Sequence, residues 1–340
     1  MWIELLISVI KIATVLTVLL VSVAYAVYAE RRVSAFMQNR YGPNRVGYQG
    51  LLQSFADVIK LVFKEDIVPV KANKPIHTLA PMISIFVALT TIAVVPFGHT
   101  IELFGRIISL QITDVNVGIL YILALTSLGV YGITLSGWSS NSKYSLFGGI
   151  RSSAQMISYE LSMGLSVVGI ILITGSLSLQ DIVLHQNGWK WNLVLQPLGF
   201  IIFLVASFAE TNRSPFDLPE AEPELVGGYH TEYSSMKFAL FFLAEYANMI
   251  VASTVIATLY LGGWQFPYLQ SFGLPPMAVS ILQVLTFCAK VAFLVFFFIW
   301  VRWSLPRFRY DQLMNLGWKV MLPLSILNII VTAILVSVLK

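Results

Sequence analysis

Carboxylates crowd one stretch of this chain. From Glu210 to Lys237 stand Glu210, Asp217, Glu220, Glu222, Glu224 and Glu232, six of the 17 acids in the protein, with only Arg213 and Lys237 as cations among them. Three further ionisable groups, Glu160, Glu245 and Lys290, interrupt long apolar runs. Such a side chain is expensive within a membrane segment and by default marks a path for ions or substrate. Carboxylates suit proton transfer there, because burial raises their pKa toward neutrality and a neighbouring ammonium lowers it again. Counted from the inner ends of their expected segments, Glu160 lies about 9 Å deep, Glu245 about 10 Å and Lys290 roughly 16 Å, with Glu210 at the surface. This grading describes a proton-accessible path that enters at the acidic stretch. The competing reading is a set of static, paired charges that fix helix packing.

The elements that position these groups follow from composition. At 57% hydrophobic and 11% charged residues, with a mean hydropathy of +0.79, the chain is far from a soluble protein and reads as an all-α integral membrane protein. A net charge of +4 does not imply nucleic acid, since the basic residues flank apolar segments instead of clustering on a soluble face. The single cysteine, Cys288, excludes an internal disulfide and any cysteine-ligated iron–sulfur or zinc site, and the four histidines lack ligand spacing. No metal site is expected, and electron carriers for any redox chemistry belong to partner subunits.

Eight segments are long enough to cross a bilayer, near 2–29, 76–97, 117–136, 154–174, 193–209, 238–261, 277–301 and 318–339. Of the 21 Lys and Arg residues, fifteen fall in the odd-numbered connections and three opposite, so those connections face the cytoplasm (or matrix) and both termini lie outside. One membrane domain over 1–340 is expected. The apolar run from Trp2 to Ala29 is too long for a signal-peptide core and is expected to be retained, tilted or protruding. Near 51–64, Leu51, Leu52, Phe55, Ile59, Val62 and Phe63 recur at helical spacing opposite Gln53, Asp57, Lys60 and Lys64, which predicts an amphipathic helix at the membrane surface. Composition alone favours a lipid anchor for it over a groove wall. In the acidic loop, 210–237, Pro215, Pro219 and Pro223 predict extended, irregular chain. Phe216, Tyr229 and Tyr233 would give that loop an aromatic surface, fitting it to dock or switch.

Several runs carry a resemblance. Glu30-Arg31-Arg32 with Met37-Gln38-Asn39-Arg40-Tyr41-Gly42-Pro43-Asn44, Gln53-Ser54-Phe55-Ala56-Asp57, Ser158-Tyr159-Glu160, Glu210-Thr211-Asn212-Arg213-Ser214-Pro215-Phe216-Asp217-Leu218, Ala244-Glu245-Tyr246 and Pro306-Arg307-Phe308-Arg309-Tyr310-Asp311-Gln312-Leu313-Met314 occur in order across almost the whole chain. They resemble the NuoH family, the H-type membrane subunits of proton-pumping NADH:quinone oxidoreductase, respiratory complex I. The resemblance implies an eight-helix protein joining the membrane arm to the redox arm, in the bacterial inner membrane or, alternatively, the mitochondrial one. Quinone would be a substrate, with FMN and iron–sulfur clusters confined to partners: peripheral-arm quinone-site and iron–sulfur subunits and small membrane-arm subunits. The first helix, the surface helix and segment six would border the quinone cavity, with Arg31, Asp57 and Arg213 at the cavity and its mouth. Glu160, Glu210, Glu220, Glu222, Glu224, Glu232 and Glu245 would form an acidic funnel from quinone to proton path, continued by Lys290.

One departure stands out. Some relatives of that kind carry an acid on the third helix, whereas 117–136 holds none and places Ser127 in the neighbourhood. Other readings stay open on sequence grounds: a component of a related hydrogenase or ferredoxin-linked complex, an autonomous proton or cation transporter, or an anchor for a peripheral enzyme.

Overall fold

In lipid every backbone polar group needs an internal partner, which apolar runs of this length find only as helices. The computed structural model describes residues 2–103, 105–218, 225–267 and 275–339. Among these, seven helices are long and apolar enough to cross: α1 (Trp2–Met37), α3 (Lys74–Thr91, prolonged by a 3-10 turn Ile92–Val94), α4 (Gly118–Ser139), α5 (Lys143–Thr174), α9 (Ser235–Tyr260), α10 (Pro276–Ser304) and the last stretch, Tyr310–Val338. That last stretch begins with α11 (Tyr310–Asn315), passes through a π-helical turn, Leu316–Met321, and ends in α12 (Leu322–Leu339).

The expected fifth segment is a broken helix. A short α7 (Asn192–Leu195) is followed by α8 (Pro197–Glu210), whose 14 residues rise about 21 Å, less than the roughly 30 Å hydrocarbon core. Pro197 disfavours helical backbone at Gln196. The Gln196 side chain then stabilises the break, donating from Nε2 to Thr332 Oγ1 at 2.6 Å and accepting at Oε1 from Asn328 at 2.9 Å, both on α12.

Other boundaries differ from expectation for identifiable reasons. α1 continues past Ala29 to Met37, because Glu30 and its neighbours find ionic partners there. α5 starts at Lys143 and not near 154, so Glu160 sits about 26 Å along it, close to its middle. The surface helix is α2 (Gln53–Val62), with Phe55, Val58, Ile59 and Val62 exposed. A short helix, α6 (Leu179–His185), follows α5, and a hairpin of β1 (Thr100–Leu103) and β2 (Arg106–Ser109), with Thr100 opposite Ser109, lies between α3 and α4. Ser280 and Gln283 of α10 pin the hairpin through the Thr100 carbonyl and the His99 amide.

The bundle closes around α9, 61% of whose apolar window is buried, against 11% for α1. Small residues let helices approach: a Cβ at Gly132 would lie 2.2 Å from Ser84 Oγ of α3, and one at Gly137 2.5 Å from the Ser145 carbonyl of α5.

Candidate functional site

The C-terminal part of α1 carries Glu30, and three neighbouring elements reach it. Arg213, from the turn after α8, places Nη1 2.8 Å from Glu30 Oε2; Tyr246 of α9 donates its hydroxyl to the same oxygen at 2.8 Å; Arg302 of α10 meets Oε1 at 2.5 Å. Glu30 is 5% and Arg213 2% exposed, so these are buried charges that require one another. Arg213 also sets Nε 2.7 Å from Glu245 Oε1, an ion pair without hydrogen-bond alignment, and lays its guanidinium 4.1 Å from the Tyr246 ring centre. Burial opposes the charge of Arg213, but Glu245 and Glu30 more than offset it and raise its pKa above the ordinary arginine value.

Glu245 and Glu210 line one internal cavity together with Thr211, Asn212, Tyr229 and Asn248. Its volume, about 80 Å³, exceeds the 10–15 Å³ or so that one water centre needs, so it has room for several waters beside two carboxylates. Glu210 takes a hydrogen bond from Thr126 and lies within electrostatic reach of Glu160. Glu160 in turn is hydrogen-bonded by Ser127. The two acids thus converge on adjacent hydroxyls of α4, where the sequence offered Ser127 in place of an acid.

On the other side of Glu30, α1, α2 and α9 are in mutual contact. Ser54 donates to the Ala24 carbonyl at 2.7 Å, and Ser235 donates to the Leu61 and Lys64 carbonyls at 3.0 and 2.8 Å, so α2 is fastened at both ends. Arg31 pairs with Asp57 of α2 at 2.6 Å. Above these helices opens a pocket lined by Glu30, Arg31, Arg40, Tyr246, Arg302 and Trp303. It joins a charged rim to aromatic walls.

The residues predicted from sequence are therefore brought together only in part. Arg213 meets Glu30, Arg31 beside it pairs with Asp57, and Glu245 shares a cavity with Glu210, which lies within electrostatic reach of Glu160. Glu232 lies apart, beside the buried His77, whose ring stacks on Tyr233 at 3.9 Å. Burial pushes the Tyr233 phenol up to about 12, so it stays a neutral partner of Ser139. Glu220, Glu222 and Glu224 lie outside the described residues. Lys290 is not brought to the carboxylates. Its Nζ donates to the carbonyls of Leu261, Gly263 and Gln265 at 2.6, 2.9 and 2.6 Å and sits over Trp191. Leu261 follows α9 about 24 Å along the axis from Glu245.

The acidic loop also differs from expectation. Phe216, Tyr229 and Tyr233 are buried and offer no aromatic surface, because the loop folds back into the bundle. Glu30, Arg302 and Tyr246 were missed as site residues. Glu30 stands beside Arg31 and Arg32 in a charged run, and Arg302 reads as one of the basic residues that set topology.

Comparison with known proteins gives consistent results. Residues 10–333 match the NADH dehydrogenase family. The chain is 54% identical to the NADH-quinone oxidoreductase H-1 subunit of Cytophaga hutchinsonii, covering 94% of both chains. It is equally identical to the H-2 subunit of the same enzyme from Koribacter versatilis, over 98% of both, and to NADH-quinone oxidoreductase subunit 8 of Rhodothermus marinus, over 94% of both.

Proposed function

From the premise that this chain belongs to the family of H-type membrane subunits of NADH-quinone oxidoreductase, we propose that it walls a quinone cavity and couples quinone reduction to proton translocation through carboxylates. The observation that carries this reading is the run of contacts from Arg302 through Glu30 and Arg213 to Glu245, together with the cavity that Glu245 shares with Glu210 and the neighbouring Thr126 and Ser127 hydroxyls that stand beside Glu210 and Glu160.

A quinone tail needs an apolar groove open to lipid, which α1, α2 and α9 can form with the exposed apolar face of α2. Its headgroup needs donors and aromatic walls, and the pocket above the groove has both. Reduction to quinol consumes two protons with two electrons. Demand for protons at that pocket changes the charge balance around Glu30, and Arg213 touches both Glu30 and Glu245. A shift of Arg213 toward either carboxylate alters the field at the water-accessible cavity, and with it the affinity of Glu210 and Glu160 for protons. The electrons arrive from flavin and iron–sulfur partners, since one cysteine cannot hold a cluster. In the intact assembly eight crossings, counting the broken segment, place the termini outside and the acidic loop inside, in a bacterial inner membrane.

Glu160→Gln tests the reading. In inverted membrane vesicles supplied with NADH and a short-chain quinone, this variant is expected to assemble and reduce quinone while protons moved per electron fall. An undiminished ratio would refute the carboxylate path.

A further inference from the structure

The charge series depends on the turn that presents Arg213. That turn runs from Ala209 to Phe216, and its ends lie on one side chain of α5. Gln155, fully buried, donates Nε2 to the Ala209 carbonyl at 2.7 Å and to the Phe216 carbonyl at 2.8 Å, with Asn212 Oδ1 at 3.2 Å as a third acceptor. The three acceptors fix which way the amide faces. Asn212 itself adopts a left-handed conformation, φ 49°, and is held further by Ser152 at 3.3 Å. One turn along α5, Tyr159 sets its ring edge-on against Phe216 with centroids 5.4 Å apart, and the next residue is Glu160.

We propose that Gln155 is a positioning residue for coupling: its amide clamps both ends of the turn, holds Arg213 between Glu30 and Glu245, and keys that turn to the helix carrying Glu160. Gln155 touches no quinone-facing group and carries no transferred proton. It acts through the place where it holds the guanidinium. This role rests on the carboxylate path proposed above. The Ala209 and Phe216 carbonyls also accept from the Asn212 and Leu218 amides, but those bonds are local to the turn; without the Gln155 amide both lose their link to α5, and the population of the held turn falls roughly tenfold. Arg213 is then free to stay with one carboxylate while quinone is reduced, and the link to the cavity slips.

The test uses the whole membrane complex with Gln155→Met, which keeps the volume and removes the donor, and Gln155→Asn, which keeps the amide but withdraws it by one methylene. Protons moved per electron and the KM for a short-chain quinone are measured beside Glu160→Gln. Because the ratio does not depend on how much complex assembles, a packing role cannot move it. The expected result is a ratio at least about twofold lower for Gln155→Met, with a smaller loss for Gln155→Asn. Rates of quinone reduction and pumping that fall together at an unchanged ratio and KM would overturn the proposal, as would failure of both variants to assemble. If Glu160→Gln leaves the ratio intact, it is the carboxylate path that fails. If Glu160→Gln lowers the ratio and neither Gln155 variant does, the path stands and the clamp falls.

Discussion

Glu30 neutralises two guanidiniums at once, and neither has another acid to replace it fully. Arg213 retains Glu245, but among the described contacts Arg302 has Glu30 as its ionic partner. Removing one member of a buried ion pair costs about 3–5 kcal/mol, much of it from the charges left behind. Glu30→Gln is therefore expected to slow quinone reduction by the assembled complex at least roughly tenfold. NADH oxidation with a water-soluble electron acceptor should be untouched if electrons pass through partner subunits as proposed; an unchanged quinone rate would remove Glu30 from the site. Lys290 gives the opposite case. Its three carbonyl contacts fasten the loop after α9, far from the carboxylates. Lys290→Met should lower the thermal stability of the complex by roughly 2–4 kcal/mol, the scale of lost charged hydrogen bonds, without changing protons per electron. A lowered ratio at normal stability would return Lys290 to the path.

α5 is the element on which the site is assembled, gripping the acidic loop with Gln155 and Tyr159 while holding Glu160. Its N-terminal half approaches the 3-10 turn Gly228–His230 closely. A Cβ at Gly148 would lie 2.6 Å from the Tyr229 amide nitrogen and 2.8 Å from Gly228 backbone, which cannot rotate away. On the same helix, a Cβ at Gly164 would meet only Leu123 Cδ1 at 3.9 Å. Gly148→Ala is accordingly expected to cost about 1–3 kcal/mol through backbone displacement. Gly164→Ala should be neutral or stabilise by up to about 1 kcal/mol through helix propensity. Thermal melts of the two purified complexes check the contrast, and equal melting temperatures would refute the tight approach. The crossing helices were legible because long apolar runs have few alternatives in lipid. The N-terminal extension of α5 was not, because between Lys143 and Ser153 the apolar Leu146, Phe147 and Ile150 are interrupted by Gly148, Gly149, Arg151 and three serines, so the stretch reads as a connection and becomes helical by packing on α4 and the acidic loop. The break at Gln196 was hidden for a related reason: Pro197 signals it locally, but its stability comes from Asn328 and Thr332, more than a hundred residues away. Partnership of that kind also hid Glu30, whose neighbours Arg213, Tyr246 and Arg302 converge only in the folded bundle.

At the scale of the whole molecule, the proposed orientation ties charge asymmetry to site geometry. Arg31, Arg40, Arg213 and Arg302 belong to the basic excess that the positive-inside distribution assigns to the inner face, and Arg213 and Arg302 are also the guanidiniums that hold Glu30. In that orientation the charged pocket would open toward the side where a peripheral redox partner is proposed to dock, and the hairpin and the loop after α6 would face away from it. Sidedness is testable because Cys288 is the single cysteine. In a Cys288→Ser background, cysteines can be placed at Ile107 in β2, at Trp189 after α6 and at Val70 before α3, which are 77%, 67% and 96% exposed. The positive-inside distribution predicts that a membrane-impermeant maleimide labels the first two in right-side-out vesicles and not in inverted ones. Val70→Cys should label only in inverted vesicles, and coverage by a partner would silence it without affecting the outer pair. Labelling of Ile107→Cys and Trp189→Cys solely in inverted vesicles would turn the molecule over. The acidic loop would then lie on the side from which no redox partner delivers electrons, and the coupling path from Glu30 to Glu160 would lose its entrance.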